Sequence, residues 1–120
     1  MKCVSFEELL RQSDFITLHV PFPKGAVPVI SSKEFNLMKD GVCIVNTSRG
    51  GAVSEADLLN ALSSGKVRHA ALDVFEGEPT AGEGSYEGEL QNAENVFCTH
   101  HIGASTEQAQ EAIAAETVRI

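Results

Sequence analysis

Apolar residues gather along the chain in two rhythms, and the rhythms alternate. Continuous apolar runs near 15–20, 42–45, 69–75 and 95–99 have the length of strands, and unbroken runs of this kind mark strands buried on both faces. Between them lie segments whose apolar residues fall three or four apart, the spacing of a helix face. S-F-E-E at 5–8, before Leu9 and Leu10, reads as a capping box opening a short helix. Pro21 and Pro23 stop the strand that follows. Phe35 and Met38 share one face of a helix over 32–38, and Lys39-Asp40-Gly41 turns the chain into the next strand. Ser54 as N-cap, with Asp57 three positions on, opens a third helix. Ala56, Leu59, Ala61 and Leu62 form its inward stripe, and Gly65 stops it. A fourth covers 106–120, with Ala109, Ala112, Ile113 and Glu116 spaced for an amphipathic face.

Strands alternating with helices of this length call for parallel pairing and right-handed crossovers, so the expected fold class is α/β with a parallel, Rossmann-type sheet. Only the stretch 76–95 breaks the pattern. It is rich in glycine and glutamate, a composition that builds no core, and it reads as a long surface loop. Without repeats or a linker, the 120 residues form one domain.

Charge and cysteine content narrow the classes. At 42% hydrophobic and 22% charged the chain is globular in composition, and its formal net charge of −8 argues against nucleic acid or an anionic membrane as partner. No apolar stretch approaches the length of a membrane span, and the N-terminus carries no signal-peptide pattern. The three cysteines (Cys3, Cys43, Cys98) are odd in number and widely spaced, which points to reduced thiols and a cytoplasmic location. Cys43 and Cys98, inside strand runs, are expected to be small core residues. No metal site is expected.

Three apolar runs end on a chemically useful side chain: Arg49 in V-N-T-S-R-G-G, Glu78 in L-D-V-F-E-G-E-P, and His101 in H-H-I-G-A-S-T. The ends of parallel strands are where open α/β sheets bind their ligands. Taken singly, each residue has a plain alternative: Arg49 as a surface residue in a turn, Glu78 as one loop acid among many, His101 as a structural hydrogen-bonding group. Taken together they make a proton-moving site. A guanidinium grips a carboxylate through paired hydrogen bonds, and a carboxylate beside an imidazole fixes its tautomer and favours its protonated form. Such a trio suits the interconversion of a 2-hydroxy acid and a 2-keto acid with hydride transfer to a nicotinamide.

These motifs, in this order, together with S-D-F-I-T-L-H-V-P at 13–21, resemble the D-isomer-specific 2-hydroxyacid dehydrogenases. The residues T-E-Q-A-Q after Gly103-Ala104-Ser105 are most similar to the D-3-phosphoglycerate dehydrogenase branch. The resemblance implies Arg49 as the group that binds the substrate carboxylate and carbonyl, His101 as general acid and base, and Glu78 as its partner. It implies cofactor contacts at His19, Val20, Pro21, Thr47, Ser48, Arg49, Asp73, His101, Gly103 and Ala104, with Asp73 at the nicotinamide carboxamide. The cofactor is NAD, with NADP left open because the residue that discriminates them has no counterpart here.

Two departures stand out. The family's usual proline before the catalytic histidine is replaced by His100, so either imidazole could face the substrate, with the register of Ile102-Gly103 favouring His101. The sequence also holds no Gly-x-Gly-x-x-Gly, the phosphate-cradling turn, and no separate substrate domain. The chain therefore resembles the second half of a nucleotide-binding domain. Half a doubly wound sheet leaves an apolar edge, from which a homo-oligomer or marginal stability is expected. Two functions remain: a dehydrogenase segment acting on a small 2-hydroxy or 2-keto acid, which the resemblance to that branch implies is 3-phosphoglycerate of serine biosynthesis, or a non-catalytic nucleotide-binding, corepressor-like module.

Overall fold

The structure, a computed structural model, describes residues 1–79, 84 and 86–119. The alternation read from the sequence is present as α1 (Phe6–Gln12), β1 (Phe15–Leu18), α2 (Ser32–Leu37), β2 (Val42–Asn46), α3 (Glu55–Ser63), β3 (Val67–Leu72), β4 (Val96–Cys98) and α4 (Glu107–Arg119), with a 3₁₀ turn at Glu89–Asn92. The four strands form one parallel sheet in the order β1-β2-β3-β4. Every strand thus points the same way, and the four C-terminal ends line up along one rim.

Local chemistry sets the helix starts. The Ser5 hydroxyl accepts the Glu8 N–H at 3.2 Å, and the Ser54 hydroxyl accepts that of Asp57 at 3.4 Å. Glu34 reaches back to the N–H of Ser31 at 3.0 Å, half of a capping box at α2. Gly65, at φ +79°, ends α3 in the left-handed region, its N–H bonded to the Leu62 carbonyl.

The core is one-sided. Ile16 and Leu18 of β1, Ile44 of β2, and Ala70 and Leu72 of β3 are buried, together with Leu10, Phe35, Leu58 and Ala61 of the three helices. Their neighbours on the other face are not covered. Phe15 is 74% exposed and Phe97 67%, while Cys43, Val45 and Ala71 are only half-buried. The strands expected to be buried on both faces are therefore covered on one, because all three packed helices share a side. For the same reason neither Cys43 nor Cys98 is a core residue: Cys43 lies on the open face and Cys98, on the edge strand β4, is exposed. All three thiols are free.

Three further expectations need correction. The buried face of α3 is centred on Leu58 and Ala61, and Ala56 is exposed. No residue of α4 is buried, so its apolar positions meet no partner surface. The acidic stretch after Glu76, of which residues 80–83 and 85 lie outside the described residues, does contribute to the core: Leu90 is buried at 1% exposure, and Tyr86 stacks on Phe75 with ring centroids 4.5 Å apart. One leucine and one tyrosine suffice to pin a segment whose composition alone reads as solvent-facing.

Candidate active site at the strand ends

Behind β2 the chain makes a turn built by one buried amide. Asn46, 2% exposed, accepts the N–H of Ser48 at 3.0 Å and its hydroxyl at 2.8 Å on Oδ1, and donates from Nδ2 to the Arg49 carbonyl at 3.1 Å. Every polar atom of that side chain is used, which fixes residues 47–49 in one conformation. Arg49 emerges from this turn exposed, its Nη1 donating to the Ser48 carbonyl at 2.7 Å. An open cleft of 520 Å³ lies beside it, lined by His19, Val20, Pro21, Phe22 and Pro23 from the exit of β1 and by Thr47, Ser48 and Arg49. His19 is held to Thr17 by a 2.8 Å side-chain hydrogen bond.

Behind β3 and β4 a second arrangement forms around Asp73. Its carboxylate, 5% exposed, accepts the Thr99 hydroxyl at 2.5 Å and the Ile102 N–H at 2.9 Å on Oδ1, and the Gly103 N–H at 2.9 Å on Oδ2. Burial by itself raises the carboxyl pKa, but these three donors outweigh it and hold the group below its ordinary range. A Cβ on Gly103 would stand 3.0 Å from Asp73 Oδ2, a crowded contact that would press on the carboxylate. The result is a tight turn in which His101 adopts φ +59°, the left-handed region, rare for a side-chain-bearing residue and a form of strain found where surrounding bonds enforce it.

That turn aims His101 at Glu78. His101 Nδ1 and Glu78 Oε2 are 2.6 Å apart, and the other carboxylate oxygen accepts the Phe75 N–H at 2.6 Å. With Nδ1 engaged, Nε2 is the nitrogen left for proton exchange. His100 is exposed and makes no side-chain hydrogen bond among the described residues. The two turns also touch each other. A Cβ on Gly50 would fall 1.9 Å from the Phe75 carbonyl oxygen, so the loop carrying Arg49 is packed directly on the one carrying Glu78. Arg49 itself makes no bond to Glu78 or His101.

The sequence-derived site residues thus fall into two groups. His19, Val20, Pro21, Thr47, Ser48 and Arg49 surround the cleft, while Asp73, Glu78, His101 and Gly103 form the hydrogen-bonded turn, with exposed Ala104 just beyond it. Asn46 and Thr99 were not singled out from sequence, yet they shape both turns. Only the N-x-S spacing of Asn46 and Ser48, a local side-chain-to-backbone turn pattern, signalled either of them.

A parallel sheet with a cleft and an acid–imidazole pair at its C-terminal rim is the layout of an α/β protein that takes its ligand at the strand ends. The profile of the family described as D-isomer specific 2-hydroxyacid dehydrogenase, NAD binding domain, matches residues 1–103, and the chain belongs to that family. It is 47% identical to a D-3-phosphoglycerate dehydrogenase of Dictyostelium discoideum over 95% of this chain and 28% of that protein. It is 45% identical to a hydroxypyruvate reductase of Thermotoga maritima over 96% and 37%. Among solved structures, a D-lactate dehydrogenase from Aquifex aeolicus complexed with NAD and lactic acid superposes with a TM-score of 0.77 at 38% identity, covering 97% of this chain and 38% of that one. The chain therefore spans less than two fifths of the length of each of these three relatives. NAD is the cofactor of the family. The residues here fit the group: the cleft is open at the strand ends, and its rim offers His19, Thr47 and Ser48 as polar contacts beside apolar Val20, Pro21 and Phe22.

Proposed function

We propose that this chain supplies the acid–base half of an NAD-dependent D-2-hydroxyacid dehydrogenase site. The observation that carries the reading is the 2.6 Å pair of His101 Nδ1 and Glu78 Oε2 at the rim that also presents Arg49. The Arg49 guanidinium takes the substrate carboxylate in paired hydrogen bonds and turns its C2 hydroxyl toward the imidazole. In the oxidising direction His101 Nε2 accepts the hydroxyl proton as the C–O bond becomes a carbonyl, and Glu78 stabilises the resulting imidazolium at Nδ1. The nicotinamide, when bound, supplies the hydride acceptor. In reduction His101 returns the proton to the new alkoxide oxygen. Asp73 holds the turn that carries His101, and its Oδ2 retains an acceptor position for a carboxamide N–H.

The substrate class is a small 2-hydroxy or 2-keto acid, and 3-phosphoglycerate is the assignment that the Dictyostelium relative supports. Cofactor contacts fall to His19, Val20, Pro21, Thr47 and Ser48 in the cleft and to Gly103 and Ala104 past the histidine. Three free thiols suit a cytoplasmic setting. Among the described residues no helix is long and apolar enough to cross a membrane. Exposed Phe15 on the edge strand favours association with a second copy. The alternative named from the sequence is a nucleotide-binding module without turnover.

The two readings separate on substrate capture. With NADH present, oxamate, an unreactive 2-keto acid mimic, binds the chain in the dehydrogenase reading, and Arg49→Lys weakens oxamate at least about tenfold by losing the fork geometry while sparing NADH. Equal losses of both ligands, or no oxamate binding at all, contradict the assignment of Arg49.

A further inference from the structure

The Glu78–His101 pair is held from behind by two residues that lie outside the cleft. Glu55, in the first turn of α3, accepts the backbone N–H of Glu76 on Oε1 at 2.5 Å, and the Glu76 carboxylate returns a 3.3 Å bond from the Glu55 N–H. The second oxygen of Glu55 accepts the Tyr86 hydroxyl at 2.8 Å. The Tyr86 ring in turn lies on Phe75, with centroids 4.5 Å apart and planes 28° apart. Phe75 is the residue whose N–H binds Glu78. On its far side the 75–76 peptide rests on Gly50, where there is no room even for a methyl group.

The peptide from 75 to 76 is therefore clamped between the Arg49 turn and a Tyr86–Glu55 latch, with Glu78 hanging from it. We propose that Glu55 and Tyr86 are positioning residues for the proton-transfer pair: the latch fixes the 75–78 segment, which sets the Glu78 carboxylate on His101 Nδ1 and thereby the tautomer and direction of the imidazole. This rests on the reading of His101 and Glu78 given above, and it assigns a role to the acidic loop, from which Tyr86 comes. The latch accounts for a costly feature. Both of its groups are partly withdrawn from water: burial raises the pKa of Glu55 despite the two hydrogen bonds it accepts, with Glu76 and Glu78 adding repulsion, and burial together with the bond to Glu55 pushes the Tyr86 hydroxyl well up. A carboxylate next to two others is destabilised where it stands, and the Glu76 N–H and Tyr86 hydroxyl hold it there.

The test uses the intact chain. Nuclear magnetic resonance reads the His101 Nδ1–H signal and its exchange with solvent, alongside a backbone amide spectrum that reports the fold. Tyr86→Phe keeps the ring stack and deletes only the hydroxyl; Glu55→Ala removes the latch. The proposal expects both to speed His101 Nδ1–H exchange by about fivefold to tenfold, the loosening of one hydrogen bond, with the amide spectrum otherwise kept. Glu55→Gln, whose carbonyl accepts from Glu76 and whose amide donates to the Tyr86 oxygen, restores exchange close to the original rate. Unchanged exchange in Tyr86→Phe and Glu55→Ala overturns the positioning role. Equal acceleration at His19, whose bond to Thr17 lies outside the latch, also overturns it, because the effect is then a general loosening. NADH binding, measured on the same samples, judges the functional reading separately, since neither Glu55 nor Tyr86 lines the cleft.

Discussion

At the scale of the residue, the site depends on two buried side chains whose polar atoms are all hydrogen-bonded. Asp73 receives three donors and Asn46 makes three bonds, and each fixes a turn bearing a functional group. Asp73→Asn puts an amide NH2 where an N–H or hydroxyl already donates, and is expected to cost about 2–3 kcal/mol by chemical denaturation. The pH dependence follows from the direction of the shift. The folded-state pKa of Asp73 lies below its ordinary 3.8, so the stability it contributes is complete above that value and is lost as pH falls through the folded one. Glu55 runs the other way. Its folded-state pKa lies above 4.5, so its contribution is fullest below 4.5 and declines as pH rises through the folded value. The stability of the native chain relative to Glu55→Gln is accordingly smaller at pH 7 than at pH 4; denaturant midpoints at the two values check this, and a larger gap at pH 7 contradicts it. The placement of Arg49, Glu78 and His101 at the strand-end rim was legible in sequence because each follows an apolar run. Asn46 and Thr99 were not, since a short polar residue says nothing by itself about which backbone groups will come to it.

At the scale of the element, the strands and helices followed from periodicity and caps, and the errors have distinct causes. The face of α3 toward the sheet centres on Leu58, not Ala56, and periodicity does not separate the two because leucines at 58, 59 and 62 span more than one helix face. Leu90 escaped because a single leucine in an acidic stretch has no period to announce it. Its burial predicts that Leu90→Ala lowers stability by about 2–5 kcal/mol, measured by thermal or urea unfolding, whereas a solvent-facing loop leucine would cost almost nothing. The contact between the two functional turns is equally sharp. Gly50→Ala drives a methyl group into the Phe75 carbonyl and is expected to cost about 3 kcal/mol or more while displacing Glu78 from His101. Runs that read as strands buried on both sides turned out covered on one, because hydrophobicity marks a strand as able to be buried without saying what is present to bury it.

For the whole molecule, a four-stranded parallel sheet carries helices on one face and aromatic side chains on the other, with α4 unpacked. Exposed Phe15 and Phe97 are expected to make the chain self-associate. Phe15→Lys should shift its sedimentation toward the monomer, and an unchanged distribution would remove that edge from the account. The chain belongs to its family through residues 1–103 and carries an open cleft at its strand ends. In the proposed function, the cleft beside Arg49 receives the cofactor next to the His101–Glu78 pair. Calorimetric titration of NADH into the purified chain tests this most directly. The account predicts weak but saturable binding that His19→Ala, in the cleft, diminishes and that Tyr86→Phe, outside it, leaves alone; no saturable binding at the highest soluble concentration would contradict it.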